Sequence, residues 1–342
     1  MDKKQKVNID IFAVAKAARV SPSTVSRTFN HPNLVKLSTR KKIEKAVERL
    51  GYIRNRAAQT MHGKRSATVG LIVPTVNHAI FAEVIQSFSD AVSERGFTIL
   101  IATHGYNLSQ EYTVLRKLLE HRVDGVALIG LDHTEATYQL IDQQAVPSLA
   151  IWNYDEDSQI SCVGADNKEA GRLAAEHLVA LGHREIALVF PAISDNDRAR
   201  GRLEGALAVL DAAGVSVPKK WRLTSQYSIA EAKSICANLL AQKERPTAIF
   251  CGNDVIAQGA IYASSAAGVA VPEELSVVGI GDFPGSEELE PALTTVRIPA
   301  RRIGTEAGKQ MAFAIVESAL DTPLRKKFKA ELLVRNTTRR IT

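Results

Sequence analysis

Cysteine is scarce in this chain: Cys162, Cys236 and Cys251 are all that its 342 residues contain. None stands in a CxxC pair or at a Cys/His ligand spacing, so neither a disulfide framework nor a zinc site is expected. Long apolar runs are missing too. No stretch approaches the roughly eighteen uninterrupted apolar residues of a membrane span, and no apolar secretory segment follows the charged start, MDKKQKVNIDIF. The expectation is a protein of the reducing cytoplasm with no membrane role. Enzyme motifs are also absent: there is no GxSxG, P-loop or HExxH, and the glycines of GIGDFPG (279–285) have the wrong spacing for a dinucleotide loop. His62, His104, His121 and His133 are scattered, and the pairs Glu273-Glu274 and Glu287-Glu288 read as solvated loop charges rather than an acid/base couple. No catalytic residue, cofactor or metal is expected.

What is present points to two or three domains, since 342 residues at 45% apolar content exceed one ordinary core. Charge is divided unevenly between them. The first 65 residues carry nine Lys and seven Arg against Asp2, Asp10, Glu44 and Glu48, a net +12, whereas the remaining 277 carry 27 basic and 33 acidic side chains, a net −6. A basic head on a mildly acidic body suggests a polyanionic partner, because Lys and Arg that neutralise phosphates release counterions and supply most non-specific affinity for nucleic acid. A membrane surface fits less well, since no basic amphipathic helix rich in Trp and Leu is visible.

Within the head, small alanines and good helix formers over 11–18 predict a first helix that another can approach closely. A tight turn at Arg19-Val20 follows. Ser21 is placed to cap a second helix, and Pro22 suits its first position, where the missing N–H costs nothing. On that helix Val25 and Phe29 share one face at i, i+4, leaving Ser23, Thr24, Ser26, Arg27 and Asn30 elsewhere. Ser38-Thr39-Arg40 opens a third helix, whose Ile43, Val47 and Leu50 recur at helical spacing before Gly51 stops it. Three such helices with high positive charge describe a helix-turn-helix DNA reader. Hydroxyls suit phosphates or base edges, and an arginine suits guanine.

VAKAARVSPSTVSRTFN followed by STRKKIEKAVERLGYIRNRAAQTM resembles the head and hinge of the LacI/GalR family of bacterial transcription repressors. The resemblance runs the whole chain in order. It implies that Pro22 and Ser23 occupy positions that vary with operator sequence, and that Arg27 contacts bases or phosphates. Ser21, Thr24, Ser26 and Asn30 belong to the same DNA-binding set. Asn55, Arg56 and Ala58 fall in the hinge segment, and Met61 stands where the family carries a leucine wedged between central base pairs. Arg19 occupies a turn position often held by glycine; if that turn needs φ > 0, it is strained by about 1 kcal/mol.

Beyond residue 65 short β-branched runs (68–74, 98–103, 123–130) alternate with helical stretches, and a second series (185–190, 221–223, 248–252, 276–281) follows the same rule. Such alternation predicts parallel sheets with crossover helices and a ligand cleft beyond the C-terminal strand ends. The fold class is thus α/β: a three-helix helix-turn-helix head with a hinge helix, then, by resemblance, a periplasmic-binding-protein-like type I core of two doubly wound parallel subdomains. Expected boundaries are 1–53 for the head, 54–65 for the hinge and 66–342 for the effector-binding and dimerisation core. Within the core one subdomain covers about 66–165 plus 292–330 and the other about 166–291. The strand LTTVRIP and the helix after Ala300 are expected to return to the first.

The resemblance places Ile80 and Phe81 on the effector, with Phe81 equally readable as core, and aligns Arg200 with a sugar-contacting arginine. Arg198 lies two residues earlier on the same lip; Arg202 follows the same strand end, and each of the three is readable instead as a solvated helix residue. Tyr227 matches an aromatic that stacks on ligand, Asn253 a ligand-binding amide or its neighbour, and Asp282 a hydroxyl-binding acid. Trp152 stands where some relatives carry another such acid. Arg, Asn, Asp and aromatic faces suit a sugar, and the extra arginine favours a sugar acid or sugar phosphate over a neutral sugar. The expected partners are a palindromic double-stranded DNA operator, a small effector and a second copy of the chain. NTTRRIT at the end is too short and polar for a helical tetramer module. A solute-binding protein without a DNA role, and then a sugar-processing enzyme, are the alternatives.

Overall fold

The computed structural model describes residues 9–54, 65–77, 79–317 and 323–341, with only the backbone at 79 and 80. It forms two compact units, residues 1–66 and 67–342. The head packs helices α1 (Ile11–Ala18), α2 (Pro22–Asn30) and α3 (Leu37–Leu50) on a small core of Val14, Ala15, Ala18, Val25, Ile43 and Ala46. α2 starts as its sequence dictates, with Ser21 Oγ accepting from the Thr24 amide at 3.2 Å and Pro22 at the first position. α3 opens one residue before the Ser38 signal and ends at Gly51 in the left-handed region (φ 63°).

Arg19 ends α1 in the same region, at φ 56° and ψ 48°, with its amide bonded back to the helix. An L-residue there is strained by about 1 kcal/mol. Arg19→Gly is therefore expected to stabilise the head by about that amount, seen as slower amide hydrogen exchange over residues 11–50 of the full chain; faster exchange would refute the strain.

The larger unit holds two six-stranded sheets. The first, in order β11-β5-β4-β3-β1-β2, is wholly parallel: β1 (Thr68–Val73), β2 (Thr98–Thr103), β3 (Gly125–Ile129), β4 (Ser148–Asn153), β5 (Ser161–Ala165) and β11 (Arg325–Phe328). The second, in order β12-β10-β9-β8-β6-β7, comprises β6 (Ile186–Phe190), β7 (Arg222–Thr224), β8 (Ala248–Cys251), β9 (Ser276–Gly281), β10 (Thr294–Arg297) and β12 (Glu331–Leu333), only the last antiparallel. Central strands such as GVALI, IALVF and SVVGIG are buried along their whole length because helices cover both faces. Those helices are α4 (Ala79–Ser93), α5 (Leu108–Glu120) and α6 (Glu135–Gln144) in the first half. In the second they are α7 (Asn167–Ala180), α8 (Asp197–Ala212), α9 (Ile229–Leu240) and α10 (Asp254–Ala267). Helix α11 (Ala300–Glu317) packs on α4 and β4. No described helix is long and apolar enough to cross a membrane.

One expectation is corrected. The LTTVRIP strand does not return to the first half: β10 lies parallel beside β9, Thr294 opposite Val278, and carries β12 on its far edge. Buried polar bonds fix it there, since Thr295 Oγ1 donates to Asp254 Oδ1 at 2.6 Å and the Thr294 amide donates to Thr337 Oγ1 at 2.9 Å. Only α11 and β11 return, so the stretch 292–297 belongs with the second half. The chain therefore passes between halves at Asp166, at Ile298-Pro299 and at Lys329-Ala330. These crossings run side by side, for Phe328 pairs with Ala165 and Arg297 with Glu331, and Lys327 Nζ reaches Asp166 Oδ2 at 3.1 Å.

Burial pushes His104, His177 and His183 below the ordinary histidine range. His183 sits between Thr247 Oγ1 (3.0 Å) and the Arg339 carbonyl (3.2 Å), and His177 contacts Thr338 Oγ1 at 2.9 Å, tying the last residues to the second half. With folded-state pKa values depressed, the unfolded chain takes up protons first, so stability declines as pH falls below about 6.5. Thermal melting from pH 8 to 5.5 should follow that slope, and His183→Gln should flatten it.

Candidate functional site

In the head, the exposed side of α2 presents Ser23 and Arg27, and Arg27 engages no partner among the described residues. Ser21 is occupied locally: beyond its capping bond, its hydroxyl lies 2.8 Å from both Ser23 Oγ and Thr24 Oγ1. Ser26 Oγ accepts from Asn30 Nδ2 at 3.3 Å, while Asn30 Oδ1 accepts from Arg54, whose guanidinium also lies over the Phe29 ring. Asn30 is thus tied to the chain leaving the head, a contact that helix periodicity alone does not reveal. Asn55, Arg56, Ala58 and Met61 lie outside the described residues, as does the side chain of Ile80.

In the larger unit, Phe81, Trp152, Arg198, Tyr227 and Asn253 converge between the two sheets. Tyr106, Arg202 and Phe283 join them around a void of about 20 Å³. Every one lies at or just beyond the C-terminal end of a strand, or in the first turn or two of the helix that follows, where parallel sheets form their sites. The Tyr106 and Tyr227 rings stack across the gap, centroids 5.7 Å apart.

Two arginines dominate its polar character. Arg198 and Arg202 are 5% and 4% exposed, one helical turn apart on α8. Arg202 is held at this depth by a close helix crossing: a Cβ on Gly171 would lie 1.9 Å from the Arg202 carbonyl oxygen, and one on Gly205 1.9 Å from that of Lys168. Glycine at both positions lets α7 and α8 touch, which sets Arg202 beside Asn167.

A polar relay then links the two guanidiniums across the halves. Arg202 Nε donates to Asn167 Oδ1 (2.8 Å), Asn167 Nδ2 to Asn153 Oδ1 (2.9 Å), and Asn153 Nδ2 to Asp197 Oδ2 (2.6 Å). Asp197 Oδ1 in turn accepts from Arg198 Nη1 at 2.9 Å. Asp197 also accepts from the Leu131 amide at 2.6 Å, and Arg198 donates to the Ile129 carbonyl at 3.3 Å, so the first turn of α8 grips the loop after β3. The environments of the two arginines differ. Burial disfavours charge on Arg198, but Asp197 and the two tyrosines outweigh it and raise its pKa. Burial lowers that of Arg202, and Arg198 adds like-charge repulsion. No carboxylate among the described residues lies within ion-pairing distance of Arg202; its other bond is to the Gly252 carbonyl, at 2.9 Å.

Two nominated residues are not brought into the cleft. Arg200 points to its rim, with Nη2 2.6 and 2.7 Å from the two Asp132 carboxylate oxygens, a bridge between halves. Asp282, at φ 55°, faces Arg297 and Arg335, each at 2.7 Å. The next residue, Phe283, takes the lining position, its amide held at 3.0 Å by buried Asp254. Of the residues not nominated, Arg202 was legible as the i+4 partner of Arg198, Arg200 being rotated to the far side. Tyr106 and Phe283 are aromatics just past a strand end, a weaker signal. Asn153, Asn167 and Asp197 gave none.

Comparison with known proteins agrees with this architecture. Residues 11–55 match the model for bacterial regulatory proteins of the lacI family, and residues 175–338 the periplasmic binding protein-like domain. The chain is 32% identical to the HTH-type transcriptional regulator GntR of Pseudomonas aeruginosa over 90% of its own length and 91% of the relative's. Among solved structures it resembles the lac repressor dimer bound to operator and the anti-inducer ONPF (TM-score 0.84, 26% identity, 97% and 99% covered). It also resembles a complex of the transcriptional regulator CelR with cellobiose (TM-score 0.70, 28% identity, 96% and 99% covered). With its helix-turn-helix head and two-sheet core, the chain belongs to the LacI family of bacterial transcriptional regulators and is not an enzyme.

Proposed function

We propose that this regulator is a cytoplasmic repressor that binds a palindromic operator as a homodimer and is controlled by a sugar, sugar acid or sugar phosphate in the cleft between its halves. The observation that carries the effector assignment is the convergence of two buried arginines, an asparagine and aromatic faces at one gap between two sheets. Similarity to an operator-bound repressor dimer and to a cellobiose-bound regulator supports the DNA and sugar assignments.

A void of about 20 Å³ is far smaller than a drug-sized ligand pocket of roughly 300 Å³ or more, so the halves must part to admit a sugar. Parting breaks the Asp132–Arg200 bridge and the bonds from Asp197 to Leu131 and Asn153. The ligand supplies replacement contacts only in the arrangement it prefers, and that difference in affinity is the coupling energy available to change operator binding. The working expectation is that the segment 54–65 transmits the change and that a twofold axis matches the palindrome.

Fluorescence anisotropy on promoter fragments flanking the chain's own gene tests the proposal. Sequence-preferring binding that shifts with a sugar-class metabolite is expected. Absence of any sequence preference at moderate salt refutes the regulator function, and retained preference with no metabolite response refutes effector control.

A further inference from the structure

The polar lining of the cleft is one-sided. No carboxylate lines it among the described residues. Asn253 Oδ1 is taken by the Ile256 amide at 3.0 Å, so the atom it has left is the donating Nδ2. Trp152, only 1% exposed, carries a buried indole N–H with no hydrogen-bond partner among the described residues, and its backbone stands at φ 88°, where an aromatic L-residue is strained. Among the described residues Arg202 has only neutral carbonyl partners. Buried donors left unmatched are costly, and backbone strain concentrates where a site requires a particular side chain in a particular place.

A neutral sugar is a poor complement to this lining, because its hydroxyl protons need acceptors and few are offered. An acceptor-only group is a good one. Charge sharpens the choice. Arg198 and Arg202 line the cleft, whereas the two buried carboxylates that act on them, Asp197 and Asp254, do not, Asp254 being held away by Thr295, Ser286 and the Phe283 amide. The face presented to a ligand is therefore cationic and rich in donors. A carboxylate, with two acceptor oxygens and one charge, asks less of that face than a phosphate, with three oxygens and nearly two charges.

We propose that the effector carries a carboxylate, read jointly by the Arg202 guanidinium and the Trp152 indole N–H, with Trp152 as the residue that selects sugar acids over their aldoses and phosphates. The inference rests on the cleft being the effector site. It is tested by calorimetric titration of the full chain with the aldonates, uronates, free aldoses and aldose 6-phosphates of the gluco, galacto and manno series. At least one acid should bind tenfold or more tighter than its aldose and its phosphate, and Trp152→Phe should weaken that acid at least tenfold. An aldose or phosphate binding more tightly than every acid overturns the proposal, as does failure of every acid to bind.

A second measurement avoids any substitution at Trp152. The chain has two tryptophans, so its indole N–H resonances are two, and Trp221→Phe assigns them. The Trp152 resonance should move downfield on acid binding; an unmoved resonance at saturation overturns the role of Trp152. Operator binding by the same preparation separates the two levels. A chain that binds acids but no operator loses the regulator proposal alone, and one that binds operator but only neutral sugars loses this inference alone.

Discussion

Arg202→Met should reduce effector affinity about a hundredfold, about 2.7 kcal/mol, and abolish the effector's influence on operator binding, while the ligand-free melting temperature moves by only a few degrees. The dissociation of function from stability is the informative part. Arg202 is almost completely buried and has no carboxylate within pairing distance among the described residues, so its charge costs the fold free energy that its bonds to Asn167 and Gly252 only partly offset. Methionine removes both the bonds and the charge in a similar volume. Arg200→Ala is the comparison. Its bridge to Asp132 lies at the rim with both side chains about a third exposed, and such a pair contributes about 0–1 kcal/mol. Effector affinity should therefore change less than tenfold in either direction. Calorimetric titration of both variants decides between them: a normal response in Arg202→Met with a dead one in Arg200→Ala would return the ligand contact to Arg200.

Arg27→Ala should weaken specific operator binding by about 1–3 kcal/mol and relax sequence preference, with little effect on folding. Arg27 projects from the middle of α2, is exposed, and makes no bond to the described residues of the head. Its guanidinium carries no structural duty there. Ser21→Ala is the contrasting variant, because Ser21 caps α2 and holds Ser23 and Thr24; it should cost the head about 1 kcal/mol of stability. Anisotropy titrations against operator and scrambled duplex at two salt concentrations separate the outcomes. If Arg27→Ala leaves the ratio of specific to non-specific affinity unchanged, α2 is not the reading element, or Arg27 is not its reader.

Much of the architecture was legible because local pattern and global role coincide. Ser21-Pro22 starts a helix wherever it stands, and runs such as IALVF leave little alternative to a buried strand. The strand at 294–297 was not legible, since both sheets are parallel and both carry the same kind of strand. Its place is chosen by contacts with Asp254 and Thr337, distant in sequence. Likewise Asp282 carries the right chemistry for a cleft, but its left-handed backbone and two arginine partners turn it away and give the position to Phe283. Helical geometry could have separated Arg202 from Arg200; nothing in the sequence announces the Asn153–Asn167 bond that joins the two buried arginines.

The three adjacent crossings between the halves set the mechanics of any motion. One tether would act as a swivel, free to twist in every direction. Three strands of chain abreast, laced by the Lys327–Asp166 pair, act as a strip of webbing along one edge: easy to fold about its width, stiff against shear and rotation in its own plane. The halves can then swing like a book about its spine. Whatever occupies the gap between the pages is then read out as an angle between them.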